Sequence, residues 1–225
     1  MKTILAATSL FAALVVTTPS AVGAFSAPAV PTAINLPGEV NIESAYSSST
    51  FPIKPSDLIT RTKEVLSPQI GIGTQDNGAC LSDSFEFVAA VVGPINKDEY
   101  LEALGSFKLE DSFNIQQNFY GFVVDPMQTN RVWFFSRQVA TQVAPFMGLD
   151  PTVVGEGGDE KKRELTLPPQ CFHIDFTPDG LVQEFGFYTV DRRQGTTGGL
   201  GGAFGTFMVW VNRCPFESVN RTNQV

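Results

Sequence analysis

Residues 171–191 read CFHIDFTPDGLVQEFGFYTVD. Apolar residues alternate with polar ones before Thr177-Pro178-Asp179-Gly180, and a run rich in apolar residues follows it, which is typical of a tight turn between two strands. This stretch therefore predicts a β-hairpin. Two aromatic runs precede it, over residues 119–124 and 132–135, separated by a turn at Asp125-Pro126. A further apolar run over residues 207–211 predicts a last strand.

Upstream of these strands the pattern favours helices. Apolar residues recur at helical spacing after Pro55-Ser56 and stop at Pro68, and Ser56 is the expected N-cap. An apolar segment follows over residues 81–92. Asn96 and Glu99 form an approximate capping box before another short helix, which Gly105 is expected to end.

Helices followed by antiparallel strands indicate an α+β fold, in which the sheet can curl around the helices and leave a cone-shaped cavity. The Gly-rich, charged segment 148–163 is expected to be a long loop. With 225 residues, a second full-sized domain is not expected once a leader is subtracted.

The first 24 residues have the layout of a secretory signal peptide. Lys2 precedes an apolar run over residues 4–16, and small residues lead to a predicted cleavage site after Ala24. The run is too short to span a bilayer comfortably, and no later segment is long and apolar enough, so the mature protein is expected to be soluble.

The residues around the cut, Gly23-Ala24-Phe25-Ser26, resemble the plastid-targeting junction of algae with secondary, red-type plastids. That resemblance implies a transit peptide beginning at Phe25, and residues 25–55 are interpreted as transit peptide plus linker, mostly disordered. The segment has few basic residues, the first after Lys2 being Lys54, so simple secretion stays open as the alternative.

Composition bears on the classes of partner. The formal net charge is −8, and the largest basic cluster, residues 161–163, is flanked by acidic residues, so nucleic-acid binding is not expected. With 19 Phe residues the chain can line an apolar pocket. Cys80, Cys171 and Cys214 lack metal-ligand spacing, so no metal is expected, and one disulfide plus a free thiol stays open.

The glycine-rich segment 195–205 lacks the Gly-Lys-Ser/Thr of a phosphate-binding loop and the spacing of a dinucleotide site. No cofactor is therefore expected. The segment is instead predicted to form a flap near the mouth of the cavity.

In element order, and in two local patterns, the chain resembles the nuclear transport factor 2-like superfamily, SnoaL-like branch. The patterns are residues 81–87 followed by Gly93-Pro94, and Asp179-Gly180-Leu181-Val182 with Asp191 closing the next strand. The resemblance implies a domain over residues 56–211, with 212–225 as a tail. The superfamily includes cyclases, isomerases, dehydratases and binding or assembly domains, so the fold alone does not give the activity.

Asp191 is the first catalytic candidate because it resembles the acid/base Asp of SnoaL-like cyclases. In an apolar cavity the pKa of its carboxyl would be raised towards neutrality, although a structural pairing with Arg192 or Arg193 is the alternative. His173, the only histidine, shares a strand face with Cys171 and Asp175 and is the second candidate.

Four large side chains with polar ends are candidate pocket residues: Tyr120, Trp133, Arg137 and Tyr188. Two functions follow. The first is a plastid domain that binds an apolar small molecule, as a cyclase, isomerase or carrier. The second is a non-catalytic partner or assembly domain, with a homodimer as one form. A cavity lined by His173 and Asp191 would favour the first, and a filled cavity with both residues outside would favour the second.

Overall fold

The computed structural model describes residues 36–90, 92–107, 109–146, 148, 150–154, 158–202 and 205–206. The chain divides into two compact units, Met1–Glu39 and Val40–Val225. Within the described end of the first unit, the Leu36 amide donates to the Glu39 carboxylate. The predicted signal peptide, the transit peptide up to residue 35, the last strand over 207–211, the tail and Cys214 lie outside the described residues.

The second unit contains all the helices and strands of the described chain. The helices are α1 (Ile42–Ser47), α2 (Pro55–Val65), α3 (Lys97–Phe107) and α4 (Leu109–Ser112). The strands are β1 (Leu81–Ala89), β2 (Val92–Asn96), β3 (Phe113–Gln116), β4 (Phe119–Val124), β5 (Arg131–Ser136), β6 (Val139–Gln142), β7 (Thr152–Val154), β8 (Glu160–Lys162), β9 (Glu164–Thr166), β10 (Gln170–Phe176) and β11 (Val182–Thr189).

A six-stranded sheet with the order β2-β1-β11-β10-β5-β4 forms the frame. Smaller sheets consist of β3-β6-β9 and β7-β8. The predicted α+β class, with helices packed in a curved sheet, is confirmed. The large sheet is not wholly antiparallel, however, because β1 and β11 pair in parallel. The two strands of a parallel pair are far apart in sequence, so no short turn motif predicts their pairing.

The core lies between one face of this sheet and helices α2 and α3. Leu58 and Val65 of α2 are fully buried, as is Phe134 of β5. Tyr100 of α3 packs its ring 5.0 Å from that of Phe85 in β1. Alternate residues of each strand therefore face the helices, and the intervening ones face away.

The hairpin predicted over residues 171–191 is confirmed. The Thr177 amide donates to Leu181, and Gly180 takes a φ of 82°, which a residue with a side chain rarely adopts. The capping box is also confirmed, because the Asn96 and Glu99 amides each bond to the side chain of the other residue.

Three local predictions were wrong. Helix α2 begins at Pro55 with Lys54 at its N-cap, so Ser56 is inside the helix and does not cap it; proline suits the first helical position because it lacks the amide hydrogen. Helix α3 runs two residues past Gly105. The expected loop over 148–163 contains the paired strands β7 and β8.

The interpretation of residues 25–55 as a disordered leader and linker is too long at its C-terminal end. Helix α1 falls inside it, and the Tyr46 hydroxyl donates to the Val124 carbonyl at 2.6 Å. Phe51 and Ile53 also pack against the core. The folded domain therefore begins before residue 56.

Candidate functional site: an aromatic cavity and the polar cluster behind it

A cavity of about 520 Å³ lies between the helices and the concave face of the large sheet. Its wall is mostly apolar. The aromatic side chains that line it are Phe87, Tyr100, Phe119, Phe172, Phe185 and Phe187. This volume falls within the range of small-molecule sites, roughly 300–1,000 Å³.

The phenylalanine wall follows directly from strand alternation. Phe172 on the central strand β10 pairs in register with Phe187 of β11 and Phe134 of β5. Its ring stacks on Phe134 with centroids 5.3 Å apart and lies 5.6 Å from Phe187. Because residues in register on neighbouring strands share a face, the rings form one continuous surface.

Glutamine amides supply polar groups at one end of this cavity. Gln117 and Gln138 line it and bond to each other at 2.9 Å. Gln170 lines it as well and is only 1% exposed. Neither the oxygen nor the nitrogen of the Gln170 side chain has a hydrogen-bond partner among the described residues. An unpaired buried amide is costly in free energy, so it marks an unusual position.

The glycine-rich segment, predicted to be a flap near the mouth of the cavity, contributes to the cavity wall. Gly202 lines the cavity, as does Thr206 directly after the segment. Gly202 has a φ of 57°, and a Cβ there would meet the Phe187 ring at 2.6 Å. The absence of a side chain at this position allows the segment to lie against the aromatic wall.

The opposite face of the same sheet carries a charged cluster. Arg131 donates from Nε to Asp175 at 2.5 Å and from Nη2 to Glu184 at 2.9 Å. His173 places Nε2 at 2.7 Å from the same Glu184 oxygen. Asp175 is in register with both Arg131 and Glu184, so the three strands β5, β10 and β11 bring these groups together.

His173 is fully buried although it lies on the face away from the core. The Trp133 ring lies 5.3 Å from the imidazole and the Tyr188 ring 5.8 Å from it. Burial lowers the pKa of His173, an effect that the bond to Glu184 opposes. The hydrogen bond to Asp175 raises the pKa of Arg131, which stays charged.

His173, Asp175 and Glu184 place their ligand atoms within 4.8 Å of one another, a spacing that a metal ion could use. The Arg131 guanidinium, however, already bonds to both carboxylates. The positive charge that two close carboxylates require is thus supplied by the protein itself.

Asp191 is not among the described residues that line the cavity. It lies in the turn after β11, where the Arg193 side chain and backbone amide both donate to it, and Gln194 adds a third donor. These hydrogen bonds, the one from the Arg193 side chain above all, lower the pKa of Asp191. The premise of a raised pKa is therefore wrong, because the donors that bind the carboxylate outweigh the desolvation that would raise the pKa.

None of the four candidate pocket residues is found in the lining of the cavity. Trp133 and Tyr188 cover His173, so the structure brings together three of the six predicted site residues on the outer face. Tyr120 stacks on Phe135 with centroids 5.6 Å apart and is 43% exposed. Arg137 is exposed and donates to Gln194.

The residues that line the cavity are not among the candidates from the sequence, which are mainly side chains with ionisable ends. The sequence does contain a signal for Gln170. This residue stands two residues before Phe172 on a strand with period-2 alternation, so it shares the face of the aromatic wall. No local pattern points to Arg131 or Glu184, since their pairing depends on strand register.

The two described cysteines carry free thiols. Cys80 is buried, and desolvation with the nearby Asp76 carboxylate raises its pKa to about 12. Burial also raises the pKa of Cys171. Neither is therefore an activated thiolate at neutral pH.

In comparisons with known proteins, no family model and no curated protein matches the chain. Several solved structures are similar to the chain in fold. A LEH-like epoxide hydrolase of M. tuberculosis is 10% identical, with 60% of this chain and 83% of that chain covered and a TM-score of 0.40. A putative polyketide cyclase of Xanthomonas campestris is 15% identical over 59% and 87%, with a TM-score of 0.41.

A putative SnoaL-like polyketide cyclase of Jannaschia is 17% identical, covering 63% of this chain and 89% of that chain, with a TM-score of 0.40. These similarities are too distant to assign a ligand or a reaction. Among the described residues, no helix is long and apolar enough to cross a membrane.

Proposed function

We propose that this domain binds an apolar small molecule in the aromatic cavity. The observation that carries the proposal is the cavity itself, which keeps about 520 Å³ open behind a wall of phenylalanine rings. Burying apolar ligand surface against such a wall is favourable by about 25 cal/mol per Å². Aromatic rings also provide rigid contact area with little loss of conformational entropy.

Binding or carriage fits the cavity better than acid–base turnover. Among the described residues that line it, only Glu110 and Tyr100 have ionisable side chains. Burial raises the pKa of Tyr100 above its ordinary value, so the phenol stays neutral. His173 and Asp191, the catalytic candidates from the sequence, lie elsewhere. A cyclase or isomerase reaction in this cavity would therefore depend on Glu110 as the proton-transfer group.

The cavity is open, as a ligand-binding domain requires, but His173 and Asp191 lie outside it, as in a partner domain. The structure therefore does not separate these two functions. A partner or assembly domain thus remains the second candidate. Exposed apolar side chains on and next to the outer face favour it: Tyr120, Val123, Tyr188 and Val190. A homodimer formed through that face would cover them.

The proposed place of action is the plastid, on the strength of the Phe25 junction in the sequence. Apolar ligands such as terpenoids, pigments or lipid derivatives are the class that such a cavity would accept there.

Native mass spectrometry of the mature protein from its own cells tests the proposal, because it reports bound ligand and oligomer together. A binding assay with 1-aminoanthracene, an apolar fluorophore, supplies the second readout. Ala103 lines the cavity from helix α3, so Ala103→Trp should fill it and abolish fluorophore binding. Glu102→Trp, next along the same helix with an exposed side chain, is the matched control and should bind normally.

A wild-type protein that carries no small molecule and binds no fluorophore would remove the proposed function. If such a protein also forms a dimer, the partner-domain function takes its place. Equal binding by Ala103→Trp and wild type would place the fluorophore outside this cavity and would also count against the proposal.

A further inference from the structure

The side chain of Gln170 is a polar group that faces the cavity, and it has no hydrogen-bond partner among the described residues. Gln170 begins strand β10 and lines the cavity with 1% of its surface exposed. Its backbone neighbours in register are Ser136 and Thr189. The hydroxyl of Ser136, its register partner on β5, already donates to the Gln117 carbonyl.

The side chains of Gln117 and Gln138, at the same end of the cavity, already share one hydrogen bond. Gln138 is the donor in this bond. Gly201 packs against Gln170 so closely that a Cβ there would overlap its amide nitrogen. The amide is thus covered on the side of the glycine-rich segment, and its remaining hydrogen-bonding capacity is directed to the cavity.

From this we infer that Gln170 selects the ligand: the cavity takes an apolar molecule that carries a carbonyl or hydroxyl oxygen, and that oxygen binds the Gln170 amide. The inference rests on the proposed function, because it requires a ligand in this cavity. Its physical basis is that a buried amide without a partner is costly, whereas a ligand oxygen placed beside it removes that cost. A pure hydrocarbon would leave the amide unpaired and would be rejected relative to its oxygenated counterpart.

The chemistry of the wall supports one oxygen function and not a charged group. The rest of the lining is dominated by phenylalanine and aliphatic side chains, and no lysine or arginine occurs in it among the described residues. A carboxylate or phosphate there would lose its hydration without gaining a cation. A neutral oxygen needs only the one amide.

The experiment compares two probes that share a carbon skeleton: tetralin, a hydrocarbon, and 1-tetralone, which adds one carbonyl. Dissociation constants are measured by calorimetry on wild type and on Gln170→Leu. In a cavity without polar partners the ketone would bind no better than the hydrocarbon, because it must lose its hydration. Wild type is expected to prefer 1-tetralone, and Gln170→Leu is expected to lower that preference about tenfold, which corresponds to roughly 1.4 kcal/mol.

The ratio of the two constants is the readout, so a general change in cavity shape cancels. Gln183→Leu makes the same chemical change at an exposed position of β11 outside the lining and should keep the wild-type ratio. Should Gln170→Leu fail to fold, Gln170→Met is read in its place, since methionine adapts to irregular space.

The two failures are distinguishable. If wild type binds neither tetralin nor 1-tetralone, the proposed function fails and takes this inference with it. If wild type binds both, but with equal affinity or with a ratio that Gln170→Leu leaves unchanged, the cavity binds apolar molecules and the role of Gln170 is refuted.

Discussion

Nε2 of His173 lies 2.7 Å from a carboxylate oxygen of Glu184, and the same oxygen accepts a bond from Arg131 at 2.9 Å. The histidine is fully buried, whereas Glu184 keeps 30% of its side chain exposed. The carboxylate is thus shared between a permanent cation and an imidazole that burial keeps neutral. In the neutral ring, Nε2 donates to Glu184, and Nδ1 has no partner among the described residues.

This pair predicts a pH-dependent stability. The pKa of His173 is lower in the folded protein than its ordinary value of about 6.5, so the unfolded chain binds the proton more readily. The contribution of the neutral histidine is therefore full above pH ~6.5 and is lost progressively as pH falls below it. Arg131, Asp175, Glu184 and Tyr188 surround the ring, and the expected net effect is a falling urea midpoint between pH 7 and pH 5.

His173→Gln is the matched variant, because its amide can still donate to Glu184 and does not titrate. Its urea midpoint should stay nearly constant over the same interval. The chain has one histidine, so no other imidazole contributes. If the variant loses stability with acid as wild type does, the effect belongs to the carboxylates and not to His173.

Removal of the shared cation should be strongly destabilising. Asp175 has 8% of its side chain exposed and Arg131 has 18%, so Arg131→Met leaves two carboxylates close together without a counter-charge. We expect a loss of about 2–3 kcal/mol in the free energy of unfolding, below the 3–5 kcal/mol of a fully buried pair because this one is partly solvated.

Arg193→Met supplies the control for that measurement. Arg193 also pairs with an aspartate, Asp191, but 90% of its side chain is exposed. Its urea midpoint should match that of wild type, because exposed ion pairs contribute little. Equal effects of the two substitutions would show that the cluster on the sheet is no more important than a surface pair.

Asp191→Asn should leave ligand binding unchanged. The hydrogen bonds from Arg193 and Gln194 lower the pKa of Asp191, so the carboxyl carries no proton to donate at neutral pH, and it does not line the cavity. The affinity for 1-aminoanthracene checks this expectation, with circular dichroism as the test of folding. A folded variant with weakened binding would return Asp191 to the site.

The local elements were predictable from sequence where a short signal determines them. Asn96 and Glu99 cap a helix through their own side chains, and Gly180 turns a hairpin through its own φ. The site was not predictable from sequence, because it depends on the register between strands that are distant in sequence. Arg131 contacts Asp175 only when β5 and β10 are aligned in the observed register. Strands β1 and β11, which pair in parallel, are separated by most of the domain's sequence.

The leader predicts a sorting experiment. A fluorescent fusion carrying residues 1–55 should enter the plastid, since an aromatic residue directly after the cut distinguishes this leader from an ordinary secretory one. Phe25→Ala should divert the fusion along the secretory route, which microscopy would show. N-terminal sequencing should find Phe25 first after signal-peptide removal. Secretion of both fusions would make the protein extracellular, with Asn220-Arg221-Thr222 available as a glycosylation acceptor.

Gln170→Leu should stabilise the protein in the absence of ligand, although most substitutions of buried residues do the opposite. The Gln170 amide is 1% exposed and has no partner among the described residues, so the folded state bears its desolvation cost. Leucine removes the polar atoms and adds apolar contact with the phenylalanine wall, and we expect a gain of about 1–2 kcal/mol in the free energy of unfolding. Urea denaturation without ligand measures it, and Gln183→Leu on the exposed side of β11 should give no gain. A loss of stability in Gln170→Leu would mean that the amide is already satisfied in the unliganded protein, and the reason to assign it to a ligand would disappear.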